Sequence, residues 1–349
     1  MAYAKDSTMR DRTFDRLKKS IAGEPTDRHA VFLYYTYPFF QNVTGMDLME
    51  YYHDPKFMME IQQEVFGMLD NCGSFQPDTG AVAECSGLGG EIQFDPHGFI
   101  SVKKMAIDTL EDAMAVKPGD PWGDNYMRRG LETFQYMLEH APENIKVNPP
   151  MIHGPFTVAA QLRGISQLCE DTILEPEIVE ALLDAATETS IRYMKEAEKI
   201  MGKPLHHILM GDDVSAFLSK NQYREWILPT YEKIFKEFPN SQRWLHNDAN
   251  AAHLFAEIKD GGWDAWQYAP SINPVEALEG SEGKVTLMGG LNPVELQKLT
   301  PEETYEKSME VLKSFGGNSK LVLGPGGSVN QIPVENLKAI FRAADDFEI

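Results

Sequence analysis

A chain of 349 residues, 42% of them hydrophobic, is long enough for one full-sized core or two smaller ones. Its formal net charge of −21 repels phosphate backbones and anionic lipid, which argues against nucleic acid and membranes as partners; a polyanionic substrate would need a local basic pocket. No apolar run reaches membrane-spanning length and the N-terminus lacks a signal h-region, so a cytoplasmic location is expected, and three cysteines (Cys72, Cys85, Cys169) without CxxC spacing argue against a disulfide framework.

Residues 1–29 read as an amphipathic helical extension, with Phe14, Leu17 and Ile21 on one face, and residues 30–349 as a single domain without a Gly/Ser linker. Ala30 to Tyr37 is the first expected strand, stopped by Pro38. A helix from about Pro55 to Leu69 follows. Gly80 to Glu84 reads as a second strand running into a glycine-rich loop, Cys85 to Gly90, and Glu91 to Phe94 as a small hairpin arm. A helix from about Asp124 to Glu139 precedes a strand tip at Pro150 to Phe156. Glu175-Pro176 opens a long helix to about Met201, with proline in its favoured first turn.

His206 to Asp213 is the next strand and loop, and Ser219 with Gln222 makes a capping box for a helix through Phe235. Strands ending at His246, over Ala265 to Tyr268, from Val285, and over Leu321 to Leu323 complete the series. Between them stand a second capping box, Thr300 with Glu303, and Pro333 at the start of the last helix. Roughly eight strands alternating with helices predict an α/β fold of the TIM-like (β/α)8 barrel type. Its chemistry sits at the carboxyl ends of the strands.

Several polar residues fall on those ends. His246 and Asp248 are i and i+2 of an extended segment and aim at one point. An imidazole and a carboxylate there suit a divalent metal such as zinc, an acid/base pair, or a substrate-binding pair; a structural histidine with a helix-capping aspartate is the plain alternative. Asp212-Asp213 can supply a ligand and a base, or cap a turn and face water. Glu84, before a glycine-rich loop, and His153, at a strand tip, add two more proton carriers on the same rim. The loop Gly324 to Ser328 lacks the Lys-Ser/Thr of a P-loop, so its glycines read as clearance for a large ligand. Tyr34, Tyr35, Tyr37, Phe39 and Phe40 make an aromatic first strand that can sandwich a ring or serve as core.

Gly154-Pro155-Phe156-Thr157-Val158-Ala159-Ala160-Gln161-Leu162-Arg163-Gly164 resembles a hallmark of the uroporphyrinogen decarboxylase superfamily. So do Gly211-Asp212-Asp213 with Ser219 to Pro229, Gly289-Gly290-Leu291-Asn292-Pro293, and Leu323 to Ala339. The resemblance runs from about Asp11 to Phe347 and implies a TIM-like barrel. Decarboxylases of the superfamily carry an early Arg-Gln-Ala-Gly-Arg-like segment that grips carboxylates; here the corresponding loop is Tyr37-Pro38-Phe39-Phe40-Gln41. Ala83-Glu84 with Gly87 to Phe94 is similar instead to the cobalamin-dependent methyltransferase branch.

Thiol-methylating members of that branch bind zinc through His-x-Cys and a later Cys. Here His246 matches the histidine, Asp248 replaces the first cysteine, and Gly327 or Gly326 stands at the second. The resemblance then implies a harder, oxygen-rich site and a substrate whose leaving atom is oxygen. The expectation is methyl transfer from a methoxylated aromatic to the cobalt(I) of a corrinoid (cobalamin) carried by a separate protein. His246 and Asp248 would hold zinc or supply a proton, with Glu84 and Asp213 as further ligands. Tyr35, Tyr37, Phe39, Glu84 and His153 would contact the substrate, and Gly326 and Gly327 would face the corrinoid. The alternatives are a lyase anchoring a small carboxylate on Arg163, methyl transfer from an amine or quaternary ammonium compound, and a corrinoid-binding barrel without catalysis.

Overall fold

The computed structural model describes residues 7–69, 73–95, 100–143 and 145–349, with side chains from Phe14 onward. β1 (Glu91–Phe94) and β2 (Ile100–Lys104) form an antiparallel hairpin arm. β3 (Ile152–His153), β4 (His207–Gly211), β5 (Gln242–Asn247), β6 (Ala265–Tyr268), β7 (Thr286–Leu291) and β8 (Leu321–Pro325) lie side by side in sequence order, all parallel. Helices connect successive strands, which is the only short way to bring parallel neighbours together. Both edges of this sheet continue through isolated parallel bridges. Val31 pairs with Leu323 and Tyr34 with Ser328 beyond β8, while Phe75 pairs with Val147 beside β3. These contacts supply the first two barrel positions and give a TIM-like (β/α)8 barrel.

Two expectations at those first positions are corrected. The segment from Ala30 is held by single bridges rather than a full ladder, and from Tyr37 it turns into the helix Tyr37–Thr44. Pro38 ends the extended run because it sits in that helix's first turn, where its missing N–H costs nothing. Gly80 to Glu84 is not a strand: Gly80–Val82 is a 3-10 turn and Ala83–Gly87 a helix. The second barrel position is Phe75, five residues earlier. Its outer edge is completed by a side chain, since Gln62 Nε2 donates to the Gln76 carbonyl and Gln62 Oε1 accepts from the Gln76 N–H. Elsewhere the local signals hold. The helices Pro176–Met201, Pro301–Phe315 and Val334–Asp346 start at their prolines or caps, and both capping boxes form.

Strands β4, β6 and β8 are buried along their whole length, as parallel strands covered on both faces must be. Inside the barrel, Leu209, Trp244, Ala265, Met288 and Val322 pack with Leu17 and Ile21 of the helix Ser7–Ala22. The N-terminal helix is therefore a plug under the barrel, each buried side chain contributing about 1.5–3 kcal/mol. Arg16 ties it to Asp27 and to Asp345 of the last helix. Further along the strands the next inward positions are Gly211, His246 and Gln267, which are register neighbours across β4, β5 and β6. Cys85 and Cys169 are free thiols, Cys72 lies outside the described residues, and no described helix is long and apolar enough to cross a membrane.

Candidate functional site

The carboxyl ends of β4 and β5 are tied together by backbone and side-chain bonds. Asp212 N–H donates to the His246 carbonyl at 3.0 Å, and the Asn247 amide donates to the Asp212 carbonyl at 2.7 Å. This brings Asp213, His246 and Asp248 to one place. One donor atom from each lies within 4.8 Å of the others, and His246 Nε2 is 4.0 Å from Asp213 Oδ1 and 4.0 Å from Asp248 Oδ2. The Asp248 N–H donates to Asp213 Oδ1 at 2.9 Å, which fixes the two loops against each other. Burial, with the Asp213 charge beside it, holds the Asp248 carboxyl above the ordinary carboxylate range despite the pull of His246.

The tautomer of His246 follows from its neighbour. Gln267 Nε2 donates to the carbonyls of Pro325 and Gly327, so its Oε1 must face His246. That oxygen lies 2.7 Å from His246 Nδ1, which therefore carries the hydrogen and makes Nε2 the ring nitrogen turned toward the two carboxylates. An imidazole nitrogen and two carboxylates, with the other ring nitrogen bonded behind, are the donors and outer support that a catalytic zinc site uses. Gly327 lies directly against the group: a Cβ there would stand 3.0 Å from Asp248 Oδ2, closer than ordinary contact. Gly326 differs from its neighbour. A Cβ there would meet the Tyr268 carbonyl at 2.5 Å, so this buried glycine gives clearance to the barrel's own backbone rather than to a ligand above the mouth.

Glu84 stands outside the three-donor group. It is buried, and both of its oxygens serve His153: Oε1 accepts the backbone N–H at 2.7 Å, and Oε2 is 3.2 Å from Nδ1. Burial works against a charged His153 ring, but the Glu84 carboxylate, with Asp213 and Asp212 behind it, outweighs burial and raises its pKa. His153 and His246 flank Gly211, where a Cβ would lie 3.5 Å from one ring's Cδ2 and 3.7 Å from the other's. Asp212 points away from the mouth and is bonded by Thr157 and Tyr231, and burial pushes its carboxyl up to about 6.

A cavity of about 350 Å³ opens between the first and second barrel positions, where no backbone ladder runs among the described residues. Tyr34, Tyr35, Tyr37, Phe40, Phe66 and Trp244 line it, together with Asp78 and His153. Of the aromatic residues expected to hold a ring, Tyr35 and Tyr37 are in this wall. Phe39 is not: the helical turn carries it into the core against Tyr35 and Phe40, fully buried. The cavity does not include the three donors. Tyr34 is the partition, its ring 4.5 Å from that of His246 and its hydroxyl donating to Met151 Sδ. Arg163, considered as a carboxylate anchor, is committed elsewhere, to Asp171 at 2.7 Å and to the Ile107 and Asp108 carbonyls. Glu225 is exposed on the π-helical turn Tyr223–Ile227 and outside the group.

Two residues of this site, Gln267 and Asp78, were not singled out from sequence, and Tyr34 was grouped with the aromatic first strand without its place beside His246. Gln267 is a polar residue in a strand buried along its length, a signal visible in Ala265-Trp266-Gln267-Tyr268. Tyr34 alternates with Phe32 on the inward side. Asp78 follows Phe75, a barrel position carrying no strand pattern of its own.

The family described as uroporphyrinogen decarboxylase (URO-D) matches this chain over residues 12–347. A curated relative, methylated-thiol--coenzyme M methyltransferase of Methanosarcina mazei, is 29% identical over 205 residues, which are 57% of this chain and 53% of that protein. The chain thus matches about half the length of this relative. A solved structure described as a methyltransferase from Methanosarcina mazei superposes with a TM-score of 0.82 at 22% identity, covering 96% of this chain and 98% of that one, a likeness of fold.

Proposed function

The chain belongs to the uroporphyrinogen decarboxylase family, and we propose that within it this protein is a methyltransferase that moves a methyl group from a methoxylated aromatic to the cobalt(I) of a corrinoid carried by a separate protein. The observation that carries the reading is the convergence of Asp213, His246 and Asp248, with Nε2 of His246 turned into the group by Gln267. Zinc, held by these three residues, would polarise the ether oxygen and make the departing phenolate a better leaving group.

The donors are oxygen and nitrogen throughout. Asp248 and Gly327 stand where the resemblance places thiolates, and the Cβ-free side of Gly327 faces Asp248. Such a set favours a hard leaving atom over sulfur. The aromatic wall beside Tyr34 offers a place for the ring, next to the donors rather than among them. Glu84 holds His153 on the same rim, where an imidazolium can steady negative charge developing on the leaving oxygen.

A methylated thiol as donor is the second reading, favoured by the name of the relative from Methanosarcina mazei. One experiment separates the two. Purified protein, with its metal content measured, is mixed with a cobalt(I) corrinoid and either a methoxyphenol or a methyl thioether, and the absorbance of the methylated corrinoid is followed. The aryl ether alone should react, and His246→Ala should abolish the signal with the fold intact. Reaction with the thioether alone would transfer the assignment to the second reading, and an unchanged rate in His246→Ala would remove that residue from the mechanism.

A further inference from the structure

The cavity carries one polar feature that the proposed methyl transfer does not use. Asp78 lines it at the end of the second barrel position. Its Oδ1 accepts the Gly80 N–H at 2.9 Å and a longer bond, 3.4 Å, from the Tyr52 hydroxyl. Its Oδ2 is buried and meets no hydrogen-bond partner of normal geometry among the described residues, although the Tyr37 backbone N–H also helps to hold the pKa of this carboxyl down. An unpartnered buried acceptor destabilises the fold, and a ligand donating to it recovers that loss.

We propose that Asp78 is a specificity-determining residue that accepts the hydroxyl hydrogen of a phenolic ring held in the aromatic cavity, so that this protein selects methoxyphenols and turns away rings bearing a carboxylate. The proposal rests on the reading above only for the identity of the methyl donor. The walls support the ring: Tyr37, Phe40 and Phe66 are aromatic, and Tyr34 lies between the cavity and His246. A carboxylated ring would meet Asp78 with like charge, no arginine stands among the described lining residues, and the His153 ring is already paired with Glu84. Lys146, which also lines the cavity, lies with its Nζ over the Phe14 ring, toward the plug helix at the opposite end. Burial lifts the Asp78 carboxyl only to about 6, so near neutral pH it is an acceptor. A quaternary ammonium compound would satisfy the charge but has no hydrogen to give, and would leave Oδ2 unbonded.

Equilibrium titration calorimetry of the full chain, without corrinoid, reads this directly. The probes are 2-methoxyphenol, 1,2-dimethoxybenzene, 2-methoxybenzoate and tetramethylammonium. Wild-type protein should bind the phenol at least tenfold more tightly than each of the others. In Asp78→Asn the side-chain oxygen stays on the Gly80 N–H and an amide NH2 replaces Oδ2. The phenol preference should then shrink about tenfold and methoxybenzoate should bind more tightly than before. Equal wild-type affinity for the phenol and its methylated analogue overturns the proposal, as does tighter binding of tetramethylammonium or an unchanged preference in Asp78→Asn. The two wild-type titrations decide the matter even where the variant does not fold. A phenol preference without methyl transfer would sink the proposed function and leave the cavity assignment standing; methyl transfer without the preference would do the reverse.

Discussion

His246 Nδ1 lies 2.7 Å from Gln267 Oε1, and the Gln267 amide cannot turn over because its nitrogen bonds the Pro325 and Gly327 carbonyls. A residue on β6 thus decides which nitrogen of a β5 histidine is free. Gln267→Leu removes that control and leaves two carbonyls and one ring N–H unpaired in the interior. The expected outcome is a loss of about 1–3 kcal/mol in thermal unfolding. Zinc affinity, measured by chelator competition, should fall about 10–100-fold. A separate readout is the histidine tautomer in nitrogen NMR, which should become mixed in the variant.

Asp213 accepts the Asp248 N–H and also crowds the Asp248 carboxyl, which stands above its ordinary range through burial and this neighbouring charge. Protons and a metal compete for the same oxygens. Zinc should therefore leave the wild-type protein on acidification at a higher pH than an ordinary carboxylate site would release it. Asp213→Asn keeps an acceptor for the N–H and removes the charge. It should bind zinc more weakly at neutral pH and lose it at a higher pH than the wild type does. Metal content after dialysis across a pH series checks both.

Burial lifts the Asp78 carboxyl to about 6 in the folded protein, from an ordinary value of 3.8. The folded state holds the proton more tightly, so this group's contribution to stability is fully present below about 4 and is lost as the pH rises through about 6. The change amounts to about 3 kcal/mol at most. Asp212, also lifted to about 6, acts in the same sense. His206, which burial lowers to about 4, and His207, lowered in the same way, act in the opposite sense over this range, so the informative quantity is the difference between the two proteins: in denaturant unfolding, the stability of Asp78→Asn relative to the wild type should rise from pH 4 to pH 7.

Legibility divided along one physical line. Helix starts such as Ser219 with Gln222, Thr300 with Glu303 and Pro176 were readable because a cap is a local event, made by residues three or four apart. The later strands were readable because a parallel strand covered on both faces is a short apolar run between loop residues. The first two barrel positions were not. Val31, Tyr34 and Phe75 are each held by a single bridge, and the second is completed by the Gln62 side chain from a different element. Asp78 was hidden with it. His246, Asp248 and Asp213 could be named because they stand on readable strand ends, whereas Gln267 matters only through its register with His246, which no segment records by itself. Phe39 was grouped with Tyr35 and Tyr37 by composition, and the helix beginning at Tyr37 turned it into the core.

Arg163 and Asp171 form an ion pair with both side chains nearly buried, at 8% and 1% exposure, and Gln167 adds a bond to the same carboxylate. Such a pair supports structure through the cost of breaking it, about 3–5 kcal/mol when one partner is removed. Arg163→Met should lower the unfolding midpoint clearly. Among molecules that remain folded, kcat and KM for methyl transfer should match the wild type. A raised KM at unchanged stability would instead revive Arg163 as a substrate anchor.

Gly211 separates the two histidines of the rim. A Cβ there would come within 2.6 Å of Met151 Cε and 3.5–3.7 Å of both imidazole rings. The Met151 methyl is the end of a flexible side chain and can move, but that sulfur also accepts the Tyr34 hydroxyl, and Tyr34 in turn packs on His246. Gly211→Ala should therefore displace Met151 and Tyr34 together while sparing the strand ladder, which needs only the backbone. The expected result is a small stability change, within about 1 kcal/mol, because alanine suits an extended strand better than glycine does. Methyl transfer should fall by about 10- to 100-fold through misplacement alone, since a shift of about 1 Å at a reacting centre has that effect. Retained activity in a variant of normal stability would show that the Met151–Tyr34–His246 chain does not govern the donor geometry.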